Sequence, residues 1–175
     1  MISLGSLSKV LWGGLRIGWL RAAKPVIARL ARLRAVDDLG GNVPTQLAAS
    51  VLVAQLDELR RHRSADLKSR HDLLVAELAR ALPEWEVTPV SGGQTLWIRL
   101  PYGDGTSYAQ AALREGVAVL AGEGLDAGGG SREYLRVHFQ AEPSDLVEAV
   151  RRMAAAWQTY RPPTRRITGS PALTI

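Results

Sequence analysis

The sequence contains no cysteine and only three histidines. Without cysteine there is neither a disulfide framework nor a thiolate metal site, and the redox compartment stays open. His62, His71 and His138 stand at no metal-ligand spacing, so no metal site is expected. No apolar run approaches the roughly 20 residues of a membrane span. The N-terminus lacks a basic stretch before an apolar core and a small-residue cleavage site, so it does not read as a signal peptide. The default expectation is a cytoplasmic protein without membrane attachment. Positive charge is in excess, +5 with a pI near 10.1, but it is spread over several segments. No basic patch interleaved with aromatics marks a nucleic-acid surface. The cluster Arg60, Arg61, His62 and Arg63 reads as a solvated helix face.

What is present is enough for one good core, or one and a half small ones: 175 residues, 46% of them hydrophobic. Residues 2–6 and 17–21 read as short strands flanking a glycine-containing turn. Pro25 opens a helix with Val26, Ile27, Leu30, Leu33 and Val36 on one side, ended by Gly40-Gly41-Asn42. A second helical pattern runs from Pro44 to Leu82, with a break or kink expected between Leu56 and Arg63, and Pro83 stops it. Strands follow at Trp85–Thr88 and Gln94–Leu100 around Ser91-Gly92-Gly93. A short helix is expected over Ser107–Glu115, then strands over Val117–Leu120 and Tyr134–Phe139. Pro143–Trp157 forms a final helix with Leu146, Val147, Val150, Met153, Ala154 and Trp157 on one face. Residues 161–175 read as a disordered tail. The domain division expected is 1–56, then 57–160 with the long helix and a small α+β unit. Trp12, Trp19, Trp85 and Trp97 read as core or interface, and Gly122–Ser131 as a mobile loop that lacks the lysine and context of a P-loop.

One stretch carries chemistry. Ser6-Leu7-Ser8-Lys9 and Gly13-Gly14-Leu15-Arg16-Ile17-Gly18 place hydroxyls, an amine and a guanidinium within eleven residues. Serine hydroxyls and an arginine suit a phosphate ester, and a lysine suits an aldehyde. Pyridoxal phosphate presents both groups. Neither half is specific by itself; the two together, in a strand-turn-strand setting, are considerably more so. A second candidate lies in Tyr134-Leu135-Arg136-Val137-His138-Phe139. Alternation puts Leu135, Val137 and Phe139 on one face and Tyr134, Arg136 and His138 on the other. Arg136 is either a bidentate carboxylate clamp or a surface arginine on a half-exposed sheet, and alternation alone favours the second slightly.

The run Gly5-Ser6-Leu7-Ser8-Lys9, Trp12-Gly13-Gly14-Leu15-Arg16-Ile17-Gly18-Trp19-Leu20-Arg21 resembles the lysine motif of class I/II (fold type I) aminotransferases. It looks especially like the aminotransferase-like domain of MocR-type GntR regulators. Agreement continues through Asp38-Leu39, Gln46, Gly92-Gly93 with Leu96-Trp97, Gly116–Val119 and Tyr134-Leu135-Arg136, covering about residues 3 to 158. The resemblance implies an α/β fold, the C-terminal part of the fold type I pyridoxal-phosphate-dependent transferase fold: last strands of the large domain, a long linking helix and a small α+β domain. It implies that Lys9 carries the internal aldimine, that Ser6, Arg16 and more weakly Ser8 hold the cofactor phosphate, and that Arg136 binds the α-carboxylate of an amino acid or related amino compound. It also implies a homodimer for the full-length relative, with DNA contacted only through an upstream winged helix. The family's partners for the pyridine nitrogen, ring hydroxyl and ring face cannot be placed, so the expectation is a C-terminal third that is inactive alone and poorly soluble along its open sheet edge. Two functions compete on this resemblance, a regulator's effector domain and an active aminotransferase moving an amino group to a 2-oxo acid, beside a nonfunctional remnant.

Overall fold

A computed structural model describes residues 1–163. The expected tail at 161–175 therefore falls mostly outside the described residues. Contacts within the chain divide it into two compact units, Met1–Asp66 and from Leu67 onward.

In the first unit, β1 (Ser3–Ser6) pairs antiparallel with β2 (Gly18–Arg21) in the register Ser3↔Arg21 to Ser6↔Gly18. The α1 helix (Lys24–Asp37) starts on Pro25, whose fixed φ suits a first turn. It stops where Leu39 and Gly40 turn left-handed, at φ 56° and 110°. The ion pair Arg34–Asp38 at 3.0 Å closes its last turn, and this guanidinium, helped by the Gly40 N–H, holds the Asp38 carboxyl below the usual carboxylate range. Asn42 caps α2 (Val43–Ala54) by accepting from the Thr45 N–H at 3.0 Å. The expected helix break lies at Gln55, one residue before the predicted window, where φ is −108° and ψ is 14°. From there α3 (Leu56–Ala81) continues into the second unit.

The second unit holds a four-stranded antiparallel sheet in the order β3-β4-β6-β5. Its strands are β3 (Glu86–Thr88), β4 (Thr95–Arg99), β5 (Leu120–Ala121) and β6 (Tyr134–His138). Period-2 alternation sets the two faces. Leu96, Ile98, Leu135 and Val137 are buried in one cluster with Leu74 and Leu78 of α3 and with residues of α4 (Gly105–Arg114) and α5 (Pro143–Thr159). Arg70 ties α3 to the connection after β6, donating to the carbonyls of Gln140 at 2.6 Å and Ala141 at 2.7 Å.

Two elements differ from expectation. The strand predicted over Val117–Leu120 reduces to Leu120–Ala121, because Val117 N–H turns back to Ala112 O at 3.0 Å and its side chain joins the core. The helix predicted from Ser107 starts at Gly105, where a Cβ would run into the Tyr134 carbonyl oxygen, so glycine is what lets the helix start abut the strand. Its cap is the buried Asp104, which accepts from Ser107 N–H and Ser107 Oγ, both at 2.8 Å, while Ser107 Oγ also bonds the Tyr160 hydroxyl at 2.7 Å. Asp104→Ala leaves the Ser107 N–H without its cap and removes the carboxylate that accepts from Ser107 Oγ, which keeps only the Tyr160 hydroxyl and the Asp104 carbonyl. We expect it to cost about 1–3 kcal/mol in urea denaturation.

The tryptophans split. Trp85 is buried, but Trp12 and Trp19 are exposed among the described residues, so of the expected core or interface only core is set aside for these two. Leu30, Leu33 and Val36, on the apolar side of α1, are exposed among the described residues. Gly122–Ser131 is organised by Asp126, whose carboxylate accepts from Gly128 N–H at 2.9 Å and Ser131 Oγ at 2.7 Å.

Candidate functional site

The connection between β1 and β2 is closed at its base by Leu7 N–H donating to Ile17 O at 3.1 Å. Leu7 itself is buried and pins the base. Leu11 N–H reaches back to Leu7 O at 2.9 Å, and Gly13–Leu15 make one 3₁₀ turn, so the backbone coils on itself instead of extending. Ser6 Oγ accepts from Ser8 N–H at 3.2 Å, which leaves the Ser6 hydroxyl proton able to donate outward. Arg16 ends the connection in the left-handed region, at φ 51° and ψ 34°. For a residue with a Cβ that conformation costs of order 1 kcal/mol, and such positions gather at functional sites. Ser6, Lys9 and Arg16 are exposed and Ser8 is half-buried. Of the four side chains selected from the sequence in this region, the structure puts Ser6 at the end of β1 and Ser8, Lys9 and Arg16 on the connection that follows.

Arg136 belongs to the other unit, at the middle of β6. It is half-buried, and its Nε is buried without a hydrogen-bond partner among the described residues. On its face of the sheet the directly opposed residues are Trp97 of β4 and Leu120 of β5. Arg99 shares that face but is already satisfied: its guanidinium donates to Glu133 at 3.1 Å and lies 3.5 Å from Glu86, which raises its pKa further. Of the two arginines, Arg136 is the one whose chemistry calls for an external anion.

Sequence reading placed Tyr134 on the face of Arg136 but missed Trp97. Alternation along β4 assigns Trp97 to a face, yet only the register between β4 and β6 puts it opposite Arg136. Trp97 stacks on Tyr134 with ring centroids 5.6 Å apart and planes 20° from parallel.

Comparison with known proteins gives a consistent result. The family model for aminotransferase class I and II matches residues 1–153. The aromatic-amino-acid aminotransferase 1 of Thermococcus litoralis is 30% identical over 161 residues, spanning 88% of this chain and 38% of that protein. An uncharacterized HTH-type transcriptional regulator of Bacillus subtilis, YisV, is 34% identical over 103 residues, 56% of this chain and 21% of its own. Among solved structures, the α-aminoadipate aminotransferase of Thermus thermophilus, complexed with N-(5'-phosphopyridoxyl)-L-leucine, superposes with a TM-score of 0.73 at 28% identity, covering 90% of this chain and 41% of that one. The chain spans about two fifths of the length of these aminotransferases.

Proposed function

Because this chain belongs to the class I and II aminotransferase family, we propose that it is part of a pyridoxal-phosphate-binding domain that handles an α-amino acid, serving as the effector domain of a MocR-type GntR transcriptional regulator. The observation that carries the reading is the end of β1 with the β1–β2 connection, where two hydroxyls, an amine and a guanidinium stand on one short closed segment.

The donor set fits the cofactor. Ser6, Ser8 and Arg16 are the residues for its phosphate, a near-dianion that calls for charge-assisted partners. Lys9 is the amine that anchors its aldehyde. When bound, the cofactor supplies an electron sink for a bond broken at the substrate α-carbon. With the cofactor bound, Lys9 Nζ would be the base that takes or returns the proton at that carbon. Arg136 takes a carboxylate through its terminal nitrogens.

A second reading, an active aminotransferase, is supported by the match to the Thermococcus enzyme over 88% of this chain. The regulator reading is supported by the similarity to regulators of Bacillus subtilis at 34% and 31% identity. A stoichiometric experiment separates them. Under the regulator reading, the chain loaded with pyridoxal phosphate changes its absorbance on adding amino acid but releases no 2-oxo acid. Release of about one equivalent of 2-oxo acid per bound cofactor favours the enzyme. No spectral response to any amino acid counts against both.

A further inference from the structure

The surroundings of Arg136 go beyond an arginine that happens to face outward. Its cross-strand neighbours, Trp97 on one side and Leu120 on the other, are both apolar. Directly opposed side chains on one face of a sheet lie about 4.5–5.5 Å apart at Cβ. Along its own strand the neighbours are Tyr134 and His138, and at the diagonals stand Thr95 and Arg99. None of these is a carboxylate, and the two nearby glutamates, Glu86 and Glu133, pair with Arg99. Trp97 leans along the diagonal to stack on Tyr134, so a flat aromatic surface stands beside the strand position of Arg136. The inner nitrogen, Nε, is dry and unpaired. Aromatic surface favours one plane of a guanidinium and removes water from it, which makes the remaining N–H groups stronger donors to an anion.

We propose that the Trp97–Tyr134 stack is the positioning element of the carboxylate site at Arg136, fixing the guanidinium plane and keeping water from Nε so that the terminal nitrogens meet a carboxylate as a preset fork. This rests on the reading of Arg136 as a carboxylate ligand. Trp97 acts through Arg136 and is not itself a ligand.

The test follows the Arg136 Nε–H signal by NMR, assigned by its loss in Arg136→Lys. The full chain is titrated with 3-methylbutanoate and with its neutral isostere 3-methylbutanamide. In the wild type the carboxylate is preferred by roughly tenfold or more, and Nε–H exchanges slowly with water. In Trp97→Leu the preference falls towards parity and Nε–H exchange accelerates, while Trp97→Phe retains most of both properties. Unchanged preference and exchange in Trp97→Leu overturn the positioning role and leave the carboxylate reading standing. If the wild-type signal does not respond to 3-methylbutanoate, or responds equally to both ligands, the carboxylate reading fails and this inference with it.

Discussion

Lys9→Ala is expected to abolish the absorbance band at the visible edge that the proposed function predicts when the purified chain is mixed with pyridoxal phosphate, and to leave far-UV circular dichroism unchanged. Lys9 is exposed on the β1–β2 connection, and exposed substitutions of this kind change stability by about 0.5 kcal/mol or less. The fold is therefore expected to survive the loss of the amine. Without a primary amine at that position nothing on the connection can bond covalently to an aldehyde, so the band should vanish and not merely weaken. Arg16→Ala is the informative companion. It keeps the amine but removes a charged donor to phosphate, a contact of about 1.5–3 kcal/mol. The band then still forms, at a pyridoxal phosphate concentration higher by roughly 10- to 100-fold. A band that persists in Lys9→Ala would place the chemistry on another amine and sink the assignment.

Trp157→Ala is expected to cost about 3–5 kcal/mol of stability, measured by urea denaturation. Trp157 is the hub of an aromatic cluster built from three segments. Its ring lies edge-on to Trp85 at 5.3 Å and to Tyr108 at 5.5 Å, tilted against Tyr102 at 4.5 Å and stacked on Tyr160 at 5.4 Å. Each such pair adds about 0.5–1.5 kcal/mol beyond area burial. The indole N–H donates to Glu84, joining α5 to the turn before β3. Truncation to alanine leaves a cavity beside Tyr108, whose hydroxyl donates to Met153 O at 2.8 Å and whose burial pushes its pKa up. Trp157→Phe, which keeps most of the ring contacts, should lose less than half as much. A loss under about 1 kcal/mol for the alanine variant would mean the cluster is not the centre of the core.

Much of the architecture is legible in the chain because local signals there agree with one another. Pro25 and Pro143 sit at helix starts, Pro83 follows the end of α3, and the alternations of β4 and β6 match their burial residue by residue. The misreadings share one cause. Val117 looks like a strand residue by composition, but a backbone bond to Ala112 claims its N–H. Trp12 and Trp19 look like core or interface by hydrophobicity, yet hydrophobicity says that a surface is suited to burial, not that the chain itself covers it.

The candidate sites divide the same way. Ser6, Ser8, Lys9 and Arg16 are legible as a set because they are close in sequence, and a short antiparallel pair returns the chain on itself. Their chemical types, and hence the expectation that they meet a phosphate and an aldehyde, belong to the sequence alone. Arg136 could not be decided from pattern, since alternation gives it a face but no neighbours. Only the register of β6 against β4 and β5 put Trp97 and Leu120 beside it and left Nε dry, and the pairing of Arg99 with Glu133 and Glu86 left Arg136, of the two arginines on that face, the one without a counter-charge among the described residues. The physical reason is that a side chain's chemistry is local, whereas its desolvation and its competition for partners are set by residues that only tertiary pairing brings opposite it.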